Sequence, residues 1–148
     1  MNPEAGEFLQ SLSHIKLGVV AVCGKYRTGK SYLLNKLFVE SYFKNPKVQS
    51  QLDTIKNQDG FSVSPTINPC TKGLWLWKKV IYSEHNETPM IVIDTEGLGA
   101  FDEDENHDAK IFLLALLLSS LIIYNSVGTI DENALNNLSL VINLSKKV

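Results

Sequence analysis

The eight-residue segment GKYRTGKS, residues 24–31, constrains the possible folds of this chain more than any other feature. It fits the pattern G-x-x-x-x-G-K-[ST], follows the apolar run IKLGVVAVC, and precedes a segment whose apolar residues recur at helical spacing. In a strand, glycine-rich turn and helix of this order, successive backbone N–H groups point into one hollow at the helix N-terminus. The segment therefore predicts a phosphate-binding loop, the P-loop, at residues 24–31.

Strand and helix patterns alternate along the rest of the chain, which indicates βαβ units and parallel strands. We therefore predict an α/β fold, a three-layer P-loop NTPase sandwich with a mostly parallel sheet. The predicted elements are a strand at 16–23, a helix at 31–43, strands at 74–83 and 90–94, a helix near 109–119, a strand near 121–126 and a helix from Asp131.

Length and composition are those of one globular domain. The chain has 148 residues, 44% of them hydrophobic, and a formal net charge of −2, which argues against a nucleic-acid-binding protein. Cys23 and Cys70 have no ligand or CxxC spacing, and the N-terminus lacks a secretory signal pattern, so we expect free thiols and a cytoplasmic location.

The most apolar segment, Ile111–Tyr124, is 14 residues long. A membrane-spanning helix needs about 20 apolar residues. Ser119 and Ser120 divide the segment, so we expect a buried helix followed by a short strand and no membrane span.

Several oxygen-bearing side chains could complete a magnesium site beside the P-loop. Lys30 is expected to reach the β- and γ-phosphates, and the Ser31 hydroxyl to bind Mg²⁺. Asp94 ends the apolar strand MIVID and supplies the carboxylate that the metal needs, while the Gly97 N–H could meet the γ-phosphate. A loop threonine should complete the metal shell, and Thr71 is the better candidate.

Other polar or aromatic residues are assigned structural roles or none. Thr66 is the alternative to Thr71. Trp75 and Trp77 share one face of a strand, and we expect both to pack in the core or on the face of the strand. The acidic group is interpreted as a solvated segment before a helix N-terminus rather than a metal cluster. Its members are Asp102, Glu103, Asp104, Glu105 and Asp108. No role is assigned to the histidines, His14, His85 and His107.

Four segments together resemble the guanylate-binding proteins, large GTPases of the dynamin superfamily. They read GKYRTGKSYLLNKL, GFSVSPTINPCTKGLWLW, DTEGLG and IFLLALLLSSLIIYNSVGTID, and the resemblance runs from about Lys16 to Leu144. It implies that residues 1–148 form part of a GTPase domain, ending after the fourth strand and the next helix, without the family's helical domain. It also implies GTP as substrate, Mg²⁺ as cofactor, and a homodimer or heterodimer formed through the nucleotide face.

The resemblance also implies roles for individual residues. Arg27 matches the internal arginine finger, Thr71 the switch threonine, Asp94 the metal-side aspartate, and Glu96 the glutamate that orders the attacking water. Catalytic roles thus fall on Arg27, Lys30, Thr71 and Glu96, and metal binding on Ser31, Thr71 and Asp94. The residues expected to bind the nucleotide are Gly24, Lys25, Tyr26, Arg27, Thr28, Gly29, Lys30, Ser31, Tyr32 and Gly97; the Lys25 side chain itself is expected to be solvated.

Two departures from the family pattern bear on activity. Pro69 stands where a serine tends to help position the water, and it has no hydroxyl or N–H. The chain also contains no Arg-Asp pair for guanine, and Asn35-Lys36 is no substitute because it lies in the first helix. Two alternatives stay open: a catalytically inactive G-domain fragment acting as a dimerisation or regulatory module, and an ATP-using P-loop protein.

Overall fold

The structure is a computed structural model, and it describes residues 2–45, 48, 60–63, 73–82, 88–98, 105–129, 132, 135, 136 and 139. Its elements, in chain order, are α1 (Pro3–Ser11), β1 (Gly18–Gly24), α2 (Lys30–Leu34), a π-helical segment (Asn35–Val39), α3 (Glu40–Lys44), β2 (Leu74–Leu76), β3 (Met90–Thr95), α4 (Glu105–Leu118) and β4 (Leu121–Asn125).

The four strands form one sheet in the order β2-β3-β1-β4. The central strand β1 is parallel to β3 and to β4, with Val22 opposite Asp94 on one side and Ile123 on the other. The edge strand β2 is antiparallel to β3. The prediction of an α/β fold with a mostly parallel sheet is confirmed.

Helices cover both faces of this sheet. Alternate residues of β1 point to opposite sides, and those on both sides are apolar and buried. We call the side covered by α2 and α3 the aromatic face; its buried residues are Val22, Leu34, Val39, Phe43, Phe61, Trp77 and Val92. The opposite side, covered by α4, is the α4 face; its buried residues are Ala21, Cys23, Ile93, Leu98, Phe112 and Ala115. The predicted three layers are therefore present.

The predicted helix at 31–43 is present, but its middle is π-helical. Residues Asn35–Val39 form this segment, which joins α2 to α3 without a break in the helical backbone. Single π-helical turns inside α-helices often occur at functional sites. The spacing of the apolar residues in this region predicted a helix and contained no sign of the wider turn.

The strand predicted at 74–83 was too long. Continuous pairing with β3 ends at the bond from the Trp77 N–H to the Val92 carbonyl, because the Lys79 N–H then bonds back to the Trp77 carbonyl and bends the chain. An isolated antiparallel bridge between Ile81 and Met90 follows the bend. Leu74 and Leu76 pack on the α4 face and Trp77 on the aromatic face, as the alternation predicted. Of the two alternatives for Trp75, packing in the core does not hold, since this residue is 53% exposed on the edge strand.

The helix predicted near 109 begins earlier, at Glu105. Asp108 therefore lies inside α4 rather than in a solvated segment before it, which corrects the interpretation of that residue. Residues 102–104 lie outside the described residues. The division of the apolar segment at Ser119 and Ser120 is confirmed, because the Ser120 N–H bonds to the Val19 carbonyl and so starts the next strand.

Helical residues lie near both ends of the chain. Helix α1 was not predicted, although Asn2 caps it through a bond to the Glu4 N–H and a proline begins it. Most of the helix predicted from Asp131 lies outside the described residues. The four residues that are described beyond position 131 are helical. Among the helices that the structure describes, none combines the length and apolarity needed to cross a membrane.

Candidate functional site

The P-loop connects β1 to α2 through backbone conformations that glycine favours. Gly24 has φ +146° and Gly29 has φ +82°, and between them Arg27 adopts φ +58°, a left-handed conformation unusual for a residue with a Cβ. A Cβ on Gly24 would lie 2.0 Å from the Asn125 carbonyl oxygen of β4. Glycine is therefore required where the loop leaves the sheet.

Lys30, the first residue of α2, lies under this loop and is 7% exposed. Its ammonium donates a hydrogen bond to the Lys25 carbonyl oxygen, 3.1 Å away. Burial lowers the pKa of Lys30, and nearby acidic side chains, Asp94 most, oppose that shift. The site thus contains a largely desolvated cation that is bonded to the P-loop backbone.

Ser31 and Asp94 meet across the gap between α2 and β3. The Ser31 hydroxyl donates to Asp94 Oδ2 at 2.5 Å, and Asp94 is 1% exposed at the end of its strand. A hydroxyl and a carboxylate are hard oxygen donors of the kind that Mg²⁺ binds. The donor set of these two residues therefore fits a magnesium ion.

The turn after Asp94 packs directly against the P-loop. The Leu98 N–H bonds to the Gly24 carbonyl at 3.1 Å, and the Tyr26 N–H bonds to the Leu98 carbonyl at 2.9 Å. A Cβ on Gly97 would approach Tyr26 Cα to 2.5 Å, so only glycine permits this contact. The two motifs are joined by backbone contacts as well as by side chains.

Glu96 is buried in the same turn and bonds to two other elements. Its Oε2 accepts a bond from the Gly73 N–H at 2.6 Å, while its own N–H donates to the Gly73 carbonyl at 2.9 Å. His107 Nε2, from the first turn of α4, lies 3.3 Å from the same Oε2. Sequence reasoning assigned His107 no role, since no spacing to a partner residue suggested ligation or a nucleophile–base pair.

Two further residues that sequence reasoning missed bond to backbone groups, one of them in the P-loop. Asn125, the last residue of β4, donates from Nδ2 to the Thr28 carbonyl at 2.7 Å. Asn35 bonds with its amide to both the N–H and the carbonyl of Phe61, each at 2.8 Å. The position of Asn125 near the loop could have been predicted, because it lies at the end of a predicted strand and the carboxyl ends of parallel strands meet at one edge of a sheet.

The structure brings most of the candidate residues to that edge. Arg27, Lys30, Ser31, Asp94, Glu96 and Gly97 lie in the P-loop, at the start of α2, or in the segment that ends β3. The Tyr32 ring instead is exposed on the helix surface, with the Lys36 ammonium 5.6 Å from its centroid. The Lys25 side chain is exposed, as expected, while its carbonyl accepts from Lys30.

Some of the predicted residues cannot be placed. Thr71, the alternative Thr66, and Pro69 lie outside the described residues. Within the part of the chain that the structure describes, there is no group of three His, Cys, Asp or Glu side chains that could hold a metal ion. A magnesium site would therefore depend on Ser31 and Asp94 together with oxygen atoms from the nucleotide, water or Thr71.

Comparison with known proteins gives one consistent result. The family model for "Guanylate-binding protein, N-terminal domain" matches residues 1–148. Human guanylate-binding proteins 2, 3 and 7 are 38%, 40% and 41% identical to this chain over 148–149 residues, which is 99–100% of its length. The chain spans about a fifth of the length of these relatives, 20–22%. It belongs to the guanylate-binding protein family and corresponds to the family's N-terminal domain.

Proposed function

We propose that this chain binds GTP with Mg²⁺ and hydrolyses it. The observation that carries the proposal is the contact of Ser31 with Asp94, 2.5 Å long, beside the buried ammonium of Lys30 and directly under the P-loop backbone. A hydroxyl, a carboxylate and a cation in this arrangement fit a magnesium-bound triphosphate. The names of the relatives, guanylate-binding proteins, support guanine as the base.

The first part of the proposed reaction is binding and orientation. The P-loop amides and Lys30 hold the β- and γ-phosphates, and Gly97 donates its N–H to the γ-phosphate. Ser31 and Asp94 hold Mg²⁺, which when bound neutralises negative charge on the phosphate oxygens. Thr71, from outside the described residues, is assigned to the same metal shell.

The second part is hydrolysis. Glu96 orients the attacking water, which phosphoryl transfer needs more than a strong base. Arg27 is exposed at the P-loop, and we propose that dimerisation through this face directs its guanidinium to the charge that develops on the γ-phosphate. The partner in this dimer is a second copy of the chain or a relative. We also propose a cytoplasmic location, because the free buried thiol of Cys23 suits a reducing compartment.

A titration with fluorescent GTP, ATP and GDP, followed by a phosphate-release assay, tests this function. Lys30→Ala should weaken GTP binding by at least about tenfold, because the triphosphate loses its buried cation. Arg27→Ala should retain binding but lower turnover by about 10³-fold. Lys36→Ala is the matched control, since this lysine is an exposed cation in the same helical stretch.

Each other outcome of the titration has a defined meaning. No binding of any nucleotide in the presence of Mg²⁺ would contradict the whole proposal. Equal affinity for ATP and GTP would contradict the guanine assignment. Binding without turnover would instead favour a non-catalytic dimerisation or regulatory module.

A further inference from the structure

Glu96 is the one buried carboxylate of the DTEG turn that bonds to both the start of β2 and the start of α4. With 4% of the residue exposed, its charge needs hydrogen-bond donors in place of water. The Gly73 N–H and His107 Nε2 are such donors, and both contact Oε2. Two bonds from different elements determine where a carboxylate group can point.

We propose that His107 is a positioning residue that orients Glu96 for the hydrolysis of GTP. A carboxylate accepts hydrogen bonds only, so Nε2 must carry the proton in this contact. With Oε2 occupied by Gly73 and His107, Oε1 is the oxygen that we assign to the attacking water. This inference rests on the proposed function, because a role in ordering water has meaning only where GTP is hydrolysed.

The position of His107 in the fold supports this role. Helix α4 is held against the sheet by Phe112 and Ala115, which are 2% and 0% exposed. Phe112 lies five residues after His107 in the same helix, so the imidazole is attached to a well-packed element. The 3.3 Å separation is at the long end for an N–H···O bond, so orientation of Glu96 is shared with the shorter bond from Gly73.

The kinetic test compares variants of the 148-residue chain in steady-state GTP turnover. His107→Ala should lower kcat by about tenfold, the loss expected for one hydrogen bond to a charged group, with the affinity for a non-hydrolysable GTP analogue unchanged. His107→Gln should recover most of that loss, because its amide nitrogen can donate to Glu96. Lys110→Ala is the control, since this residue is exposed on the same helix and lies outside the site.

A second measurement separates failure of this inference from failure of the proposed function. Hydrogen exchange at the Gly73 amide does not require turnover, and it should quicken in His107→Ala because the acceptor carboxylate is less well held. Wild-type protein that hydrolyses no GTP would contradict the proposed function, and exchange would still test the positioning. If His107→Ala matches the wild type in Gly73 exchange, and in turnover where turnover exists, the role of His107 is refuted.

Discussion

The two faces of the sheet support the same edge of the molecule in different ways. On the aromatic face, the ring centroid of Tyr42 lies 5.3 Å from that of Phe43 and 5.2 Å from that of Trp77, and both pairs have edge-to-face geometry. On the α4 face, small residues, Ala21 and Ala115, lie between sheet and helix at 0% exposure. Three contacting rings pack on the first face, whereas the second combines these alanines with one fully buried ring, Phe112.

This difference in packing is matched by a difference in the polar contact that each face makes. The aromatic face fixes a piece of backbone, because Asn35 holds Phe61 through both of its peptide groups. The α4 face fixes a side chain, because α4 brings His107 to Glu96. Of these two contacts, the one from the α4 face ends on a residue of the candidate site, Glu96.

The largest effect is expected from removing the ring at the centre of the α4 face. Phe112→Ala should lower the free energy of unfolding by about 4 kcal/mol, and by more than Phe43→Ala, because alanine neighbours cannot fill the cavity. Urea denaturation of both variants measures this, with the exposed Leu114→Ala as a control expected within about 0.5 kcal/mol of the wild type. If Phe43→Ala lowered the free energy of unfolding more than Phe112→Ala, the conclusion that the α4 face is the more closely packed of the two would be wrong.

An intermediate effect is expected at high pH on the same face. Burial raises the pKa of the Cys23 thiol from 9.0 to about 11. Since the folded state holds this proton more tightly, its stabilising contribution is complete below pH 9.0 and is lost as pH rises through about 11. The loss should be about 3 kcal/mol.

The pH effect can be measured as the free energy of unfolding in urea between pH 9.0 and about 11, for the wild type and for Cys23→Ala. The variant should show a shallower decline, because it has no thiol to ionise on unfolding. Tyrosine and lysine titrations are common to both proteins and cancel in the difference. Parallel declines would mean that the thiol is less desolvated than its 1% exposure indicates.

The smallest of the three effects is expected on the aromatic face. Asn35→Ala removes the partner of both Phe61 backbone groups and should lower the free energy of unfolding by about 2 kcal/mol. Asn35→Asp keeps the acceptor for the Phe61 N–H but places a carboxylate oxygen against the Phe61 carbonyl, so it should not restore the stability of the wild type. An unchanged urea midpoint for Asn35→Ala would show that this contact does not stabilise the backbone at Phe61. Lys36→Ala is the control, because this neighbouring residue is exposed.

The sequence was most informative where a residue type is required by local backbone geometry. Gly24 and Gly97 are needed for close backbone approach, and Lys30 follows the second glycine of the motif, so one short pattern located the loop and its cation. Asp94 could be placed beside them because β1 and β3 read as buried parallel neighbours, whose carboxyl ends meet. The three-layer arrangement of sheet and helices could be predicted from the alternation of strand and helix patterns along the chain.

The residues that were missed make contacts that no local pattern encodes. His107 meets Glu96 only because α4 starts at Glu105, and the apolar periodicity that located the helix begins after that point. Asn35 bonds to backbone groups 26 residues away, where the identity of the partner leaves no trace in the sequence. For Trp75, packing in the core and packing on the strand face both stayed open, because alternation shows which face of the strand a residue lies on but not whether another element covers that face.

The bond from Asn125 to the Thr28 carbonyl has a consequence for how this protein is made. The P-loop is a local motif, yet one of its carbonyls is held by a residue 97 positions later, and Gly24 must fit against that same residue. During synthesis, a ribosome must therefore extrude most of the chain before the loop can take its final shape. Nascent chains that end before β4 should acquire nucleotide affinity only weakly, and the gain should come abruptly as β4 emerges.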